Sequence, residues 1–278
     1  MSEAGFAEAG SAEAGFAEAG VTEVTAAALP ADAVVLIALD FDGTLAPLGD
    51  DPMAVQMVPG SRELLDGVAS RPNRWLALVS GRPAGDLVLL SKAPVGTLIA
   101  ASHGAQRGHV SAMGLVMDPI ELSAGEADLL AQVEQELAEI AERTPGSRIE
   151  SKPLARVLHT RRSEGTVAEL AAAAAVAGPG SLPGVHTLVG KSVVEIAVRA
   201  VTKADGVAWA RAQVAQSAAV AESEVIVVFA GDDTTDEHAL ASLGAGDHGI
   251  KVGAGPTAAG TIVADEHEAV AYLSALVL

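Results

Sequence analysis

The chain has 278 residues, half of them hydrophobic but only 3% aromatic, and a formal net charge of −19. That charge argues against a nucleic-acid partner, which is held through Lys and Arg clusters, and the absence of cysteine excludes disulfides, thiol nucleophiles and thiolate-bound zinc. The apolar residues come in short runs, none near the roughly 18 residues of a membrane span, and the N-terminus lacks the basic and then apolar pattern of a secretion signal. A cytoplasmic protein that needs no membrane is therefore expected.

Residues 2–20 hold a near-repeat in which Ala4-Gly5-Phe6-Ala7-Glu8-Ala9-Gly10 is echoed by Ala14-Gly15-Phe16-Ala17-Glu18-Ala19-Gly20. One Phe per copy is too little apolar content for a packed repeat, so residues 1–30 are read as a disordered tail. A partner-binding helix anchored on Phe6 and Phe16 is the functional alternative.

From residue 33 onward, strand-like apolar runs alternate with helical patterns, as in a Rossmann-like parallel α/β sheet. The runs are 33–39, 75–79, 97–101, 225–230 and 249–252. The first stops abruptly at Asp40-Phe41-Asp42-Gly43-Thr44, the second at Ser80-Gly81-Arg82, the third at Ser102-His103-Gly104 and the fourth at Gly231-Asp232-Asp233-Thr234. Parallel strands share one carboxyl edge, so these segments should converge although they are far apart in sequence. Asp40 and Asp42 are two apart and share a face if the segment is extended. One could then attack phosphorus while the other manages a proton. Carboxylates this crowded call for a hard cation, and Mg²⁺ is the usual oxygen-ligated choice beside phosphate. The plain alternative is a strand that ends in an Asp-x-Asp-Gly turn.

Between residues 109 and 198 the pattern changes. Ser123 and Glu126 form a capping box that opens a helix with Leu129, Leu130, Val133, Leu137 and Ile140 at helical spacing. Two extended segments (148–152 and 156–161), an Ala-rich helix (166–176) and a hairpin turning at Gly190-Lys191 follow. This reads as an α+β cap, 109–198, inserted into a core made of 31–108 and 199–278, with hinges at 106–108 and 199–202. A helix from Lys203, a strand at 225–230 and a terminal helix complete the core.

Asp40-Phe41-Asp42-Gly43-Thr44, Ser80, Lys203 and Gly231-Asp232-Asp233-Thr234-Thr235-Asp236 stand in the order of the haloacid dehalogenase-like phosphatase motifs. Within that superfamily the chain resembles the trehalose-6-phosphate phosphatase family over about residues 33–275. The segments that carry this resemblance are Ser80-Gly81-Arg82, Ser102-His103-Gly104, Glu150-Ser151-Lys152, His159-Thr160-Arg161 and Gly190-Lys191 with Glu195. The resemblance implies that Asp40 is the nucleophile and Asp42 the general acid and base, with Ser80 and Lys203 on the phosphoryl oxygens. It further implies Mg²⁺ on Asp40, the Asp42 carbonyl and Asp232, with Asp233 and Asp236 as candidates for direct or supporting contact. The substrate, a small sugar phosphate met by a monomer, would be gripped by Arg82, His103, Glu150, Lys152, Arg161, Lys191 and Glu195. His159 is read as a structural strand residue.

Two departures concern the sugar more than the chemistry. Lys203 is followed by Ala204-Asp205-Gly206 where glycine is usual, and Arg199-Ala200 stands where an Arg-Pro pair usually follows the cap glutamate closely. The competing readings are a phosphatase of sucrose or hexose phosphate and a signalling module that keeps phosphate on Asp40.

Overall fold

The computed structural model describes residues 28–278 except position 50. The repeat and its tail reading lie outside these residues, except that Leu29 and Pro30 are held by the fold. The Leu29 N–H donates to Leu276 O at 3.0 Å, and the buried Arg74 guanidinium donates to Pro30 O at 2.9 Å. The expected tail is therefore too long by at least two residues at its inner end.

In chain order the elements are β1 (Val34–Leu39), α1 (Ser61–Ser70), β2 (Arg74–Val79), α2 (Ala84–Ser91), β3 (Leu98–Ala101), β4 (Gln106–Ser111), β5 (Gly114–Met117), α3 (Ala124–Glu142), β6 (Arg148–Ser151), β7 (Ala155–His159), α4 (Gly165–Ala177), β8 (His186–Gly190), β9 (Val193–Ala197), α5 (Lys203–Ala218), β10 (Val225–Gly231), α6 (Asp236–Ala241), β11 (His248–Val252), β12 (Thr261–Val263) and α7 (Glu266–Val277). Eight strands form one sheet in the order β12-β11-β10-β1-β2-β3-β4-β5, parallel from β12 to β3. Successive β1 side chains serve opposite faces. Val35, Ile37 and Leu39 pack with Leu64 and Leu65 of α1 and Leu273 of α7, whereas Leu36 and Ala38 pack with Val207 and Val214 of α5. Helices on both faces explain why β1 is an unbroken apolar run. The reversal of strand order around β1 puts the crevice at its carboxyl end.

The second sheet is antiparallel, β6-β7-β9-β8. One face is closed by α3 and α4, with Val133, Leu137, Leu158, Ala175, Val194 and Ile196 buried together. Alternation then sends Glu195 of β9 to the other face, toward the core. The Ser123 and Glu126 capping box is present at the start of α3.

One boundary needs correction. Residues 109–117, expected in the cap, belong to the core instead, because β4 and β5 extend the eight-stranded sheet as antiparallel strands. Only Gly108 and Val110 of β4 are buried, so Gln106-Arg107-Gly108-His109 carries too little apolar patterning to read as a strand. The expected hinge at 106–108 consequently falls inside a hydrogen-bonded ladder. The chain crosses between the sheets at 118–123 and 198–202 instead. Arg199 joins the two crossings, donating to Glu126 Oε1 at 2.8 Å, Glu126 Oε2 at 3.0 Å and Glu121 O at 2.9 Å. These bonds, with those from Ser123, hold the Glu126 carboxyl down at about 2.

Candidate active site

β10 and β2 flank β1, so Asp232, Asp40 and Ser80 leave three neighbouring strand ends side by side. The Asp40 N–H donates to Ala230 O at 2.9 Å, and the Ser80 N–H donates to Ala100 O at 3.1 Å, which continues the ladder to the rim. After Asp42 the chain turns at Gly43, where φ is +74° and an added Cβ would lie 2.1 Å from Asp232 Oδ2. That position is closed to side chains on both steric and conformational grounds. Gly43→Ala is expected to displace the Asp232 carboxylate and lower kcat/KM by about 100-fold, whereas Gly67→Ala on the far helix α1 is expected to change it little. Steady-state kinetics of the two variants checks this.

Lys203 opens α5 and is 2% exposed. Its ammonium lies 2.7 Å from Asp236 Oδ1, 3.1 Å from Asp40 Oδ1 and 3.8 Å from Asp233 Oδ1. Burial alone would lower its pKa, but Asp40, Asp236 and Asp233 together outweigh burial and raise it. The helix starts where it does because the Asp205 carboxylate accepts from both the N–H and the hydroxyl of Thr202, each at 2.8 Å. The unusual Asp205 thus acts as a cap. Gly206 supplies the close approach, since a Cβ there would lie 3.0 Å from that of Ala100.

Asp236 is wholly buried beneath this group. Its Oδ2 accepts from the backbone N–H groups of Asp232 and Asp233, both at 3.0 Å, while Oδ1 faces Lys203. Asp233 Oδ1 instead accepts from Thr235 and Asp236 at the start of α6. Carboxylate oxygens of Asp40, Asp232 and Asp236 lie within 4.8 Å of one another. Burial pushes Asp40 up to about 7 in spite of Lys203 beside it. Burial and the neighbouring acids Asp236 and Asp233 raise Asp232 to about 6, and burial with the Asp40 charge raises Asp236 to about 8. Both Asp236 oxygens are already engaged, so it is Asp40 and Asp232, hard oxygen donors that resist ionising together in a recess that Gly43 leaves open, that fit a divalent hard cation.

Arg82 meets Asp42 side-on, donating Nε–H to Oδ2 and Nη2–H to Oδ1 both at 2.6 Å, and Arg82 Nη1 donates to Pro52 O at 2.6 Å. Arg82, expected at the sugar, lines the cavity and pairs there with Asp42. Its guanidinium carbon also lies 5.4 Å from the centre of the Phe41 ring. His103 sits in a left-handed conformation against Gly81, where a Cβ would come 2.7 Å from its ring, and burial pushes its pKa down to about 4.

Asp40, Asp42, Ser80, Arg82, His103, Lys203, Asp232 and Asp233 line a cavity of about 810 Å³ whose roof is Arg148, Glu150, Lys152 and His159. Glu195 reaches the roof through its 2.7 Å pair with Lys152. Arg161, in the turn after β7, and Lys191, in the β8–β9 turn, are exposed and outside this lining. His159, read from the sequence as a structural strand residue, and Arg148, to which the sequence reading gives no role, both line the cavity. Period-two alternation was the available signal, since Arg148 shares a face with Glu150 and His159 with Val157.

Acids at adjacent parallel strand ends, a buried lysine among them and a second sheet above define a haloacid dehalogenase-like phosphatase. Residues 38–261 match the family model described as trehalose-phosphatase, and the chain belongs to that family. A trehalose-6-phosphate phosphatase related protein of known structure is 25% identical, with a TM-score of 0.63 over 86% of this chain and 95% of that one. The fold is shared with the C-terminal domain of the C. albicans trehalose-6-phosphate phosphatase (22% identity, TM-score 0.67, 87% and 92% covered). It is also shared with the Aspergillus fumigatus trehalose-6-phosphate phosphatase (23% identity, TM-score 0.58, 90% and 97% covered). Among the described residues no helix is long and apolar enough to cross a membrane.

Proposed function

We propose that this phosphatase hydrolyses trehalose 6-phosphate to trehalose and phosphate, with Mg²⁺ held by Asp40, the Asp42 carbonyl and Asp232. The observation that carries this reading is the meeting of Asp40, Asp232 and Lys203 at one strand rim in a chain of this family. Bound Mg²⁺ would supply charge neutralisation between the nucleophile and the phosphoryl group.

In the first step an Asp40 carboxylate oxygen bonds to phosphorus while the bond from phosphorus to the sugar oxygen breaks, and that oxygen takes a proton from Asp42. Arg82 must release Asp42 for this to occur, because both carboxylate oxygens of Asp42 are engaged by it. Lys203 and Ser80 donate to the phosphoryl oxygens as charge gathers there. In the second step water attacks phosphorus and gives a proton to Asp42, and the bond to Asp40 breaks to free phosphate. Asp236 supports the loop through its two backbone acceptor bonds and the lysine, while Asp233 caps α6. Glu150, Lys152, Glu195 and His103 face the sugar. Arg161 and Lys191 would join only on closure.

Phosphate release from trehalose 6-phosphate, sucrose 6-phosphate and glucose 6-phosphate tests the assignment. The expected result is the highest kcat/KM for trehalose 6-phosphate and loss of turnover in EDTA that Mg²⁺ restores. A higher kcat/KM for either other sugar overturns the substrate, and turnover that survives EDTA overturns the metal.

A further inference from the structure

His159 does nothing in the chemistry above, yet its side chain is placed with care. β6 and β7 pair so that Arg148 lies opposite His159 and Glu150 opposite Val157. Glu150 and His159 are thus diagonal neighbours on the face of the upper sheet that looks down on Asp40, a spacing long side chains bridge. His159 Nε2 lies 2.8 Å from Glu150 Oε2, and Arg148 Nη1 is 3.8 Å from the same oxygen. A carboxylate only accepts, so Nε2 carries the proton. The bond uses one Glu150 oxygen and leaves Oε1 for a ligand. Roughly a quarter of each side chain is exposed, 23% for His159 and 27% for Glu150, and what is exposed opens into the cavity.

The neighbouring roof acid is also tethered, Glu195 by Lys152. An untethered glutamate loses rotamer freedom when it binds a hydroxyl, and one already held does not. We infer that His159 is a positioning residue for sugar recognition: it fixes the Glu150 carboxylate over the nucleophile so that Oε1 accepts from a substrate hydroxyl. This rests on the reading of Glu150 as a sugar contact.

The test compares His159→Leu, which removes the donor, with His159→Gln, whose amide nitrogen sits as far along the side chain as Nε2. With trehalose 6-phosphate and Mg²⁺, His159→Leu is expected to raise KM about tenfold with kcat within twofold, and His159→Gln to restore most of that loss. In a Glu150→Gln background His159→Leu is expected to add less than a twofold further change. Should the Leu variant fold poorly, His159→Asn, polar but too short to reach Oε2, carries the same expectation. A loss in kcat equal to that in KM, a Gln variant no better than Leu, or full additivity with Glu150→Gln overturns the inference. If Glu150→Gln alone leaves KM unchanged, the sugar role of Glu150 has failed instead, and that result is separable from the others.

Discussion

Asp40→Asn should reduce phosphate release by a factor on the order of 10⁴ or more, since in the proposed mechanism Asp40 forms the covalent intermediate and its removal leaves only binding and electrostatics to act. Asn is nearly isosteric, and its amide oxygen is a poor nucleophile. The fold should tolerate the change: burial already works against the charge on Asp40, and Lys203 keeps Asp236 at 2.7 Å. Single-turnover phosphate release measures the loss, and folding is checked by a thermal transition within a few degrees of the parent. A folded Asp40→Asn protein that retains even a hundredth of the parent rate would show that this carboxylate is not the nucleophile.

Lys203→Met is the second large effect, and it should act on rate and stability together. The variant removes the ammonium placed against Asp40 and Asp236 and leaves two buried acids without it. Breaking a buried pair by deleting one partner costs about 3–5 kcal/mol, and loss of one donor to a charge-gathering oxygen costs about 10²–10³ in kcat. Denaturant unfolding and steady-state kinetics read these two quantities separately. A Lys203→Met protein within 1 kcal/mol of the parent, still turning over within tenfold, would remove Lys203 from both roles.

The catalytic rim was legible because its physics is local. A buried parallel strand must be apolar on both faces, so an aspartate or serine at its end stands out against Val34–Leu39 or Arg74–Val79. The start of α3 was legible for the same reason, in that Ser123 and Glu126 complete their bonds within four residues. What escaped was non-local. β4 is defined by pairing to β3 and the edge strand β5 by pairing to β4, and Gln106-Arg107-Gly108-His109 carries no pattern of its own. Arg82 found Asp42, forty residues upstream, a partner that spacing does not reveal. For His159 the alternation rule was available but not followed, because residues 159 and 161 share parity and the sequence reading nevertheless makes His159 structural. The structure keeps His159 at the roof, while Arg161 lies past the end of β7.

The paired hydrogen bonds from Arg199 to Glu126, with a third to Glu121 O, constrain how the upper sheet could move over the lower. Two separate tethers would let the upper sheet slide, tilt and twist independently. Pinned together at one guanidinium, they would favour one rotation over the others, like a door hung on adjoining leaves. Substrate size would then be sensed as one angle, and every roof residue would arrive over Asp40 at the same moment.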